Sequence, residues 1–290
     1  MPLTSLALVV LAALIHATWN LLAKRAADAG AAFVAAYTFV AFVAYAPWMG
    51  WLLFHGGVTW SLPVVACLAA SGLLHLVYSL ALQRGYRVAD LSVVYPVARG
   101  TGPLVASLGA FLLLGERASL AGLLGLAAVV GGIALIATDG RLANFARPGA
   151  TRGVRWGIGT GVLIALYTVT DGWGVVALGI HPVALEWCAN AMRPFLLAPA
   201  LLRDPARARS AMRGHWLEAV GVGLLAPLGY ILVLTALQLG APLHVVAPTR
   251  ELSMMAGALL AYLILREPVG PARLGGCGLM VLGVALLSQG

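Results

Sequence analysis

Charge is what this sequence has least of. Among its 290 residues, 18 are Lys or Arg and 10 are Asp or Glu. Only 10% of the chain is charged, where a water-soluble domain carries about a quarter. That is too little to coat a soluble surface, and a hydrophobic share of 61% with mean hydropathy +0.96 points the same way. Cysteine is scarce as well. Cys67, Cys188 and Cys277 each fall inside an apolar run, with no C-x-x-C and no His at ligand spacing. This argues against a disulfide framework or a cysteine metal site. No G-x-x-x-x-G-K-[ST] is present, so ATP drive within the chain is not expected. D-x-x-D and H-E-x-x-H are missing too, and neither an enzyme, a metal nor a cofactor is expected. The net charge of +8 is not gathered into a basic tract with interleaved aromatics, so nucleic acid is not a partner. The N-terminus has no basic n-region, and its first apolar segment runs on to Lys24 and Arg25. It reads as a retained span rather than a leader.

What the sequence has instead is long apolar runs. A helical span of a bilayer needs about 20 mostly apolar residues. Ten segments qualify: Thr4–Leu22, Ala32–Phe54, Leu62–Leu82, Leu91–Leu114, Leu120–Ala137, Trp156–Thr170, His181–Leu202, Trp216–Gln238, Leu243–Leu265 and Arg273–Ser288. The sixth is the shortest. Trp48, Trp51 and Trp60 lie near span ends and read as an interfacial aromatic belt.

The two halves resemble each other. "LQRG" at 82–85 answers "LQLG" at 237–240. "YPVARGTGPLVASLGAFLLLGERAS" from Tyr95 aligns without a gap on "VAPTRELSMMAGALLAYLILREPVG" from Val246. The alignment pairs Arg99 with Arg250 and Glu116 with Glu267, and the "LQ-G" register pairs His75 with Tyr230. A repeat of five spans is odd-numbered, so its second copy enters the membrane inverted. Charge agrees independently. Basic residues follow the first and third spans of the first half (Lys24, Arg25; Arg84, Arg87). In the second half they follow the second and fourth (Arg203, Arg207, Arg209, Arg213; Arg266, Arg273). Arg141, Arg147, Arg152 and Arg155 join that side, and the other has only Arg117. The positive-inside rule makes the basic side cytoplasmic and both termini extracytoplasmic. The expected protein is an all-α integral membrane protein of ten transmembrane helices, built as two inverted-topology five-helix repeats. Repeat one covers 1–140, a basic linker 141–152, and repeat two 153–290.

These repeats, the Pro of the fourth span and the "LLLGERAS" and "LILREPV" junctions resemble the drug/metabolite transporter superfamily, specifically its ten-helix members with two EamA-type repeats. The opening stretch "HATWNLLAKRA", with Trp19, Asn20 and Lys24, is similar to that family's first-helix pattern. "ALYTVTD" at 165–171 and "AMRPF" at 191–195 are similar to its sixth- and seventh-helix patterns. The sequence departs from the family in two ways. Family members usually keep both termini in the cytoplasm, and the first repeat has no obvious counterpart to Arg193. The resemblance implies export of metabolites such as amino acids, or of toxic compounds, across the inner or plasma membrane.

Polar side chains inside the spans are costly, an ionisable one by roughly +2.5 to +3.5 kcal/mol at a helix centre. They therefore face a partner or a cavity. Helical spacing puts His16, Trp19 and Asn20 on one face. It does the same for His75 and Tyr78, for Tyr95 and Arg99, for Tyr167 and Asp171, and for Glu186, Asn190 and Arg193. Arg250 and Glu251 lie on neighbouring faces of the ninth span. The expected substrate site is a polar, aromatic cavity between the repeats, built from His16, Trp19, Asn20, His75, Tyr78, Tyr95, Arg99, Tyr167, Arg193, Tyr230, Arg250 and Glu251. Inverted-repeat transporters place their sites there. The guanidinium fork suits a solute with an anionic group. Each of these residues also has a structural reading: Arg193 as an ion pair with Glu186, Arg250 as a salt bridge to another helix, the histidines as inter-helix ties. Proton coupling through His16, His75 or Glu251 is open. So is a drug or organophosphonate cargo, a lipid-linked transferase, a non-transporting accessory subunit, or a homo-oligomer. Gly153-x-x-x-Gly157-x-x-x-Gly161 announces close helix packing. Glu116 and Glu267 are expected to bind backbone or basic groups at the membrane surface.

Overall fold

The computed structural model describes residues 2–88, 91–117, 119–141, 143, 145, 149–257 and 270–289. The described residues are helical apart from short connections. In chain order the helices are α1 (Leu3–Arg25), α2 (Gly30–Phe54), α3 (Leu62–Val88), α4 (Leu91–Leu113), α5 (Leu120–Thr138), α6 (Ala150–Val176), α7 (Pro182–Leu202), α8 (Pro205–Ala211), α9 (Trp216–Gln238), α10 (Leu243–Thr249) and α11 (Pro271–Gln289). Seven of them are long and apolar enough to cross a membrane: α1, α2, α3, α5, α6, α9 and α11. At 23 and 21 residues, α4 and α7 are also long enough. Their prolines and polar residues dilute the apolar run. The lipid-facing surface carries Leu11, Phe39, Leu112, Leu124 and Leu196, all exposed, as an apolar solvent permits. Trp48, Trp51 and Trp60 are exposed near helix ends, where the belt was expected.

Local chemistry sets several boundaries. Ser119 caps α5 by accepting the Gly122 N–H at 2.9 Å. His181 Nδ1 accepts the Val183 N–H, with Pro182 pre-set at the first helical position of α7. Asp204 accepts the Arg207 N–H and starts α8.

Three expectations change. The sixth span is not short: α6 has 27 residues. Asp171, which ends the apolar run in sequence, is fully buried and paired, so the helix continues past it. The basic linker is shorter than expected, because α6 starts at Ala150 and carries Arg152 and Arg155 on its first turns. The ninth span is interrupted: α10 ends at Thr249 and helix resumes at residue 252. Between them the bonds tighten to i→i−3, from Glu251 N–H to Pro248 O and from Met254 N–H to Glu251 O. Pro248 has no N–H to give His244, and the Ser107 hydroxyl donates to that orphaned carbonyl at 3.4 Å. The rest of this span, with Arg266 and Glu267, lies outside the described residues, as do Asp90 and Arg147.

Packing interleaves the two halves. The main contacts are α5 on α11, α4 on α6, α1 on α9, α2 on α7 and α3 on α6. Exchanging the halves turns α1–α9 into α6–α3 and returns α2–α7 and α5–α11 to themselves, so these contacts are symmetric between the halves. Glycine lets the tightest pairs close. A Cβ on Gly125 would lie 2.7 Å from the Gly283 carbonyl, and one on Gly276 would lie 2.8 Å from that of Gly132. α5 and α11 therefore meet backbone to backbone. The Gly157–Gly161 stripe of α6 is used within the chain, seated on Val97, Ala98 and Thr101 of α4.

Candidate functional site

A cavity of about 90 Å³ lies between α1, α2, α3, α6, α7, α9 and α10. A water needs on the order of 10–15 Å³ on this measure, so the space holds several. A large apolar cluster adjoins it, sharing Ala12, Val233 and Tyr230 with its lining. Val9, Val64, Leu68, Ala110, Val175, Leu185, Leu237 and Val246 meet there, each near the helix end remote from the basic residues. Towards the basic side lies a second cluster, with Ala26, Phe33, Met212 and Val222.

Eight of the expected site residues line the cavity: His16, Trp19, His75, Tyr78, Tyr167, Arg193, Tyr230 and Arg250. Asn20, Tyr95, Arg99 and Glu251 do not. Arg99 points away into an ionic knot. Its Nη1 donates to Glu251 at 3.1 and 3.3 Å, and its Nη2 lies 2.8 Å from His16 Nε2. Arginine only donates, so His16 Nε2 is the acceptor and its proton sits on Nδ1. Tyr95 lies under the Arg99 guanidinium at 5.5 Å. Trp19 packs edge-on against His16 at 4.6 Å. The symmetric pair of arginines expected to share one ligand is thus unequal. Glu251, from the broken ninth span, takes up Arg99, while its nearer oxygen is 3.8 Å from Arg250 Nε, too far for a hydrogen bond.

Arg193 and Arg250 are buried, and Nε of each has no hydrogen-bond partner among the described residues. Facing them on α7 is Glu186. Asn190 donates to Glu186 Oε1 at 2.6 Å, and Oε2 is left without a donor. Glu186 and Asn190 line the cavity, as do Tyr37 and Ser79. The sequence face shared with Arg193 was the signal for Glu186 and Asn190; reading Glu186 only as an ion-pair partner left both out of the expected site. No such signal marked Tyr37.

A second array stands on the opposite wall. Asp171 Oδ2 accepts the Tyr230 hydroxyl at 2.6 Å and lies 3.0 Å from His75 Nε2. Tyr167 stacks on His75 at 4.1 Å, and Tyr78 tilts against Tyr167 at 5.4 Å. Beside the large apolar cluster, Glu116 in the α4–α5 connection caps α10. It accepts the N–H groups of Leu243 and His244 at 2.6 and 3.0 Å and bonds His244 Nδ1 at 2.5 Å. Burial pushes its carboxyl up, but these bonds outweigh burial and hold it below its ordinary value.

Comparison with known proteins adds two findings. Residues 151–289 match the EamA-like transporter family. A crystal structure of another protein superposes over 100% of this chain and 98% of its own, with a TM-score of 0.78 at 18% identity. At that identity the likeness concerns the fold alone. No curated protein matches the sequence.

Proposed function

We propose that the chain is a multi-pass membrane transporter of the drug/metabolite type, in keeping with the match of residues 151–289 to the EamA-like transporter family, and that its cargo is a small zwitterionic metabolite of the amino-acid class, carried outward. One observation carries the cargo class. Two buried guanidiniums with unfilled donors, Arg193 and Arg250, share a cavity with a carboxylate that has an unfilled oxygen, Glu186. A solute carboxylate suits the first pair, because the guanidinium fork offers parallel N–H groups. A solute ammonium suits Glu186 and Asn190. Trp19, Tyr78 and Tyr167 offer faces to an apolar or aromatic body.

Two repeats, the second beginning with α6 at Ala150, an inner- or plasma-membrane location and extracytoplasmic termini belong to the same reading. The basic residues support the orientation, and the paired helix contacts support the repeats. Alternating access follows from the cavity's position between inverted repeats. The principal contacts join one half to the other, so the moving bodies are mixed helix groups rather than the two sequence halves. Outward release requires the Val9–Leu68–Leu237 cluster to part.

Counterflow in proteoliposomes tests the cargo, with labelled amino acids, a phosphonate and an organic cation offered in turn. Exchange of an amino acid is the expected result. Exchange of the phosphonate alone would keep the arginines and discard Glu186 as an ammonium ligand. Exchange of the cation alone would discard both arginines as ligands.

A further inference from the structure

Solute recognition as described leaves one buried acid unused. Asp171 is fully buried on α6 and does not itself line the cavity. Its Oδ2 has two donors, whereas Oδ1 has none among the described residues. A half-satisfied carboxylate in an apolar interior is costly, and its second oxygen has room for a further donor. His75 and Tyr230 stand between Asp171 and the cavity, and both line it. Imidazole and phenol each donate and accept, so a proton from cavity water has a hydrogen-bonded route to the acid.

We propose that the His75–Asp171 pair is a proton-binding site, and that its occupancy is coupled to the transport cycle. The inference rests on the transporter reading above. The two groups are 3.0 Å apart, close enough to share a proton. With one proton the pair is an anion, and with two it is neutral. Its surroundings are defined on every side. Arg193 and Glu186 face it from α7, Arg250 from α10, Tyr167 from α6, Tyr230 from α9, and Cys67 and Tyr78 from α3. His16 of α1 lies across the cavity, with Arg99 of α4 and Glu251 held behind it. As an anion, Asp171 ties α3 and α9 to α6 by charge-assisted bonds. A second proton held on the carboxyl turns these into neutral bonds, roughly half as strong, whereas one held on the imidazole turns the His75 link into an ion pair. A proton arriving at this wall therefore changes the ties among three helices that border the solute.

The test uses the full chain in proteoliposomes, with the amino acids that pass the counterflow screen. Wild type is expected to show counterflow at equal pH and to accumulate solute when a pH gradient is imposed. Asp171→Asn is expected to keep counterflow, since Asp171 does not line the cavity, and to lose the gradient-driven accumulation. Asp171→Glu, which restores a carboxylate, is expected to regain it. Wild type that exchanges solute yet ignores the gradient would overturn the coupling, as would an Asp171→Asn protein that accumulates like wild type. A solute-independent measurement separates this from failure of the transporter reading. In nanodiscs, infrared difference spectra between alkaline and acidic buffer should contain bands of the titrating carboxyl–imidazole pair, and Asp171→Asn should remove them. Unchanged bands in that variant would overturn the proton site even if transport stands. If no solute exchanges, the transporter reading and the coupling fall together, and the infrared bands alone decide the site.

Discussion

Replacing Arg250 with alanine removes one of two buried cations that have room for a ligand. A charge-assisted hydrogen bond is worth about 1.5–3 kcal/mol, so counterflow of a carboxylated solute should fall by about tenfold to a hundredfold. Unchanged exchange would remove Arg250 from the site. Glu251 answers to a different measurement. It is 1% exposed and its carboxylate is the counter-ion of Arg99. Glu251→Gln takes the carboxylate away from a buried guanidinium, which should lower stability by about 3–5 kcal/mol in a thermal or denaturant melt of the purified protein. This contrast shows what was legible in the sequence. Helical spacing on α1, α3 and α6 found His16, His75 and Tyr167, because one face of each helix meets the cavity. It could not say that Arg99 and Arg250, equivalent in the repeat, would differ. That depends on Glu251, which the break after Pro248 and Thr249 turns towards the first half.

At the scale of the helix, the α5–α11 seam and the α10 cap carry separate expectations. Gly125→Ala would press a methyl group to 2.7 Å from the Gly283 carbonyl. The backbone there cannot yield as a side chain tip would, so about 1–3 kcal/mol of stability should be lost in a melt. Gly159→Ala is the control: nothing lies within 4 Å of its added carbon, and it should be neutral or slightly stabilising. Glu116 makes α10's cap pH-sensitive. Its carboxyl is held below its ordinary value, so the bonds are intact in neutral solution. The linked stability is present above the unfolded carboxyl's pKa and is lost as pH falls through the lower folded one. Acidification into that range should raise hydrogen exchange at the Leu243 and His244 amides, and Glu116→Gln should raise it at neutral pH already. Span positions were legible from apolar length alone. The interruption of the ninth span and the true length of α6 were not, because each turns on a partner distant in sequence: Ser107 for the freed carbonyl, and Tyr230 with His75 for Asp171.

Across the whole molecule, orientation is the property most open to direct measurement. With the native cysteines replaced, a cysteine at Thr59, between α2 and α3, should react with an impermeant thiol reagent added to intact cells. One at Ser210, in α8, should react only after lysis. The reverse pattern would put both termini in the cytoplasm and set aside the charge reading. The all-helical, multi-span character follows from composition and order; the inversion and the sidedness of charge are read from the same order and await this measurement. The partner of each helix does not, since every span carries an apolar face that any other could cover.

That pairing has a consequence for how the protein is made. The strongest contacts of α1, α2, α3, α4 and α5 are all with helices of the second half. When the ribosome has finished α5, the first half sits in the bilayer with its best faces touching only lipid. Gly125 and Gly132 wait for α11, which is synthesised after α1–α10. The α5–α11 seam closes only once α11 has been made, and until the second half follows, the early helices are held in place by the membrane and the insertion machinery more than by one another.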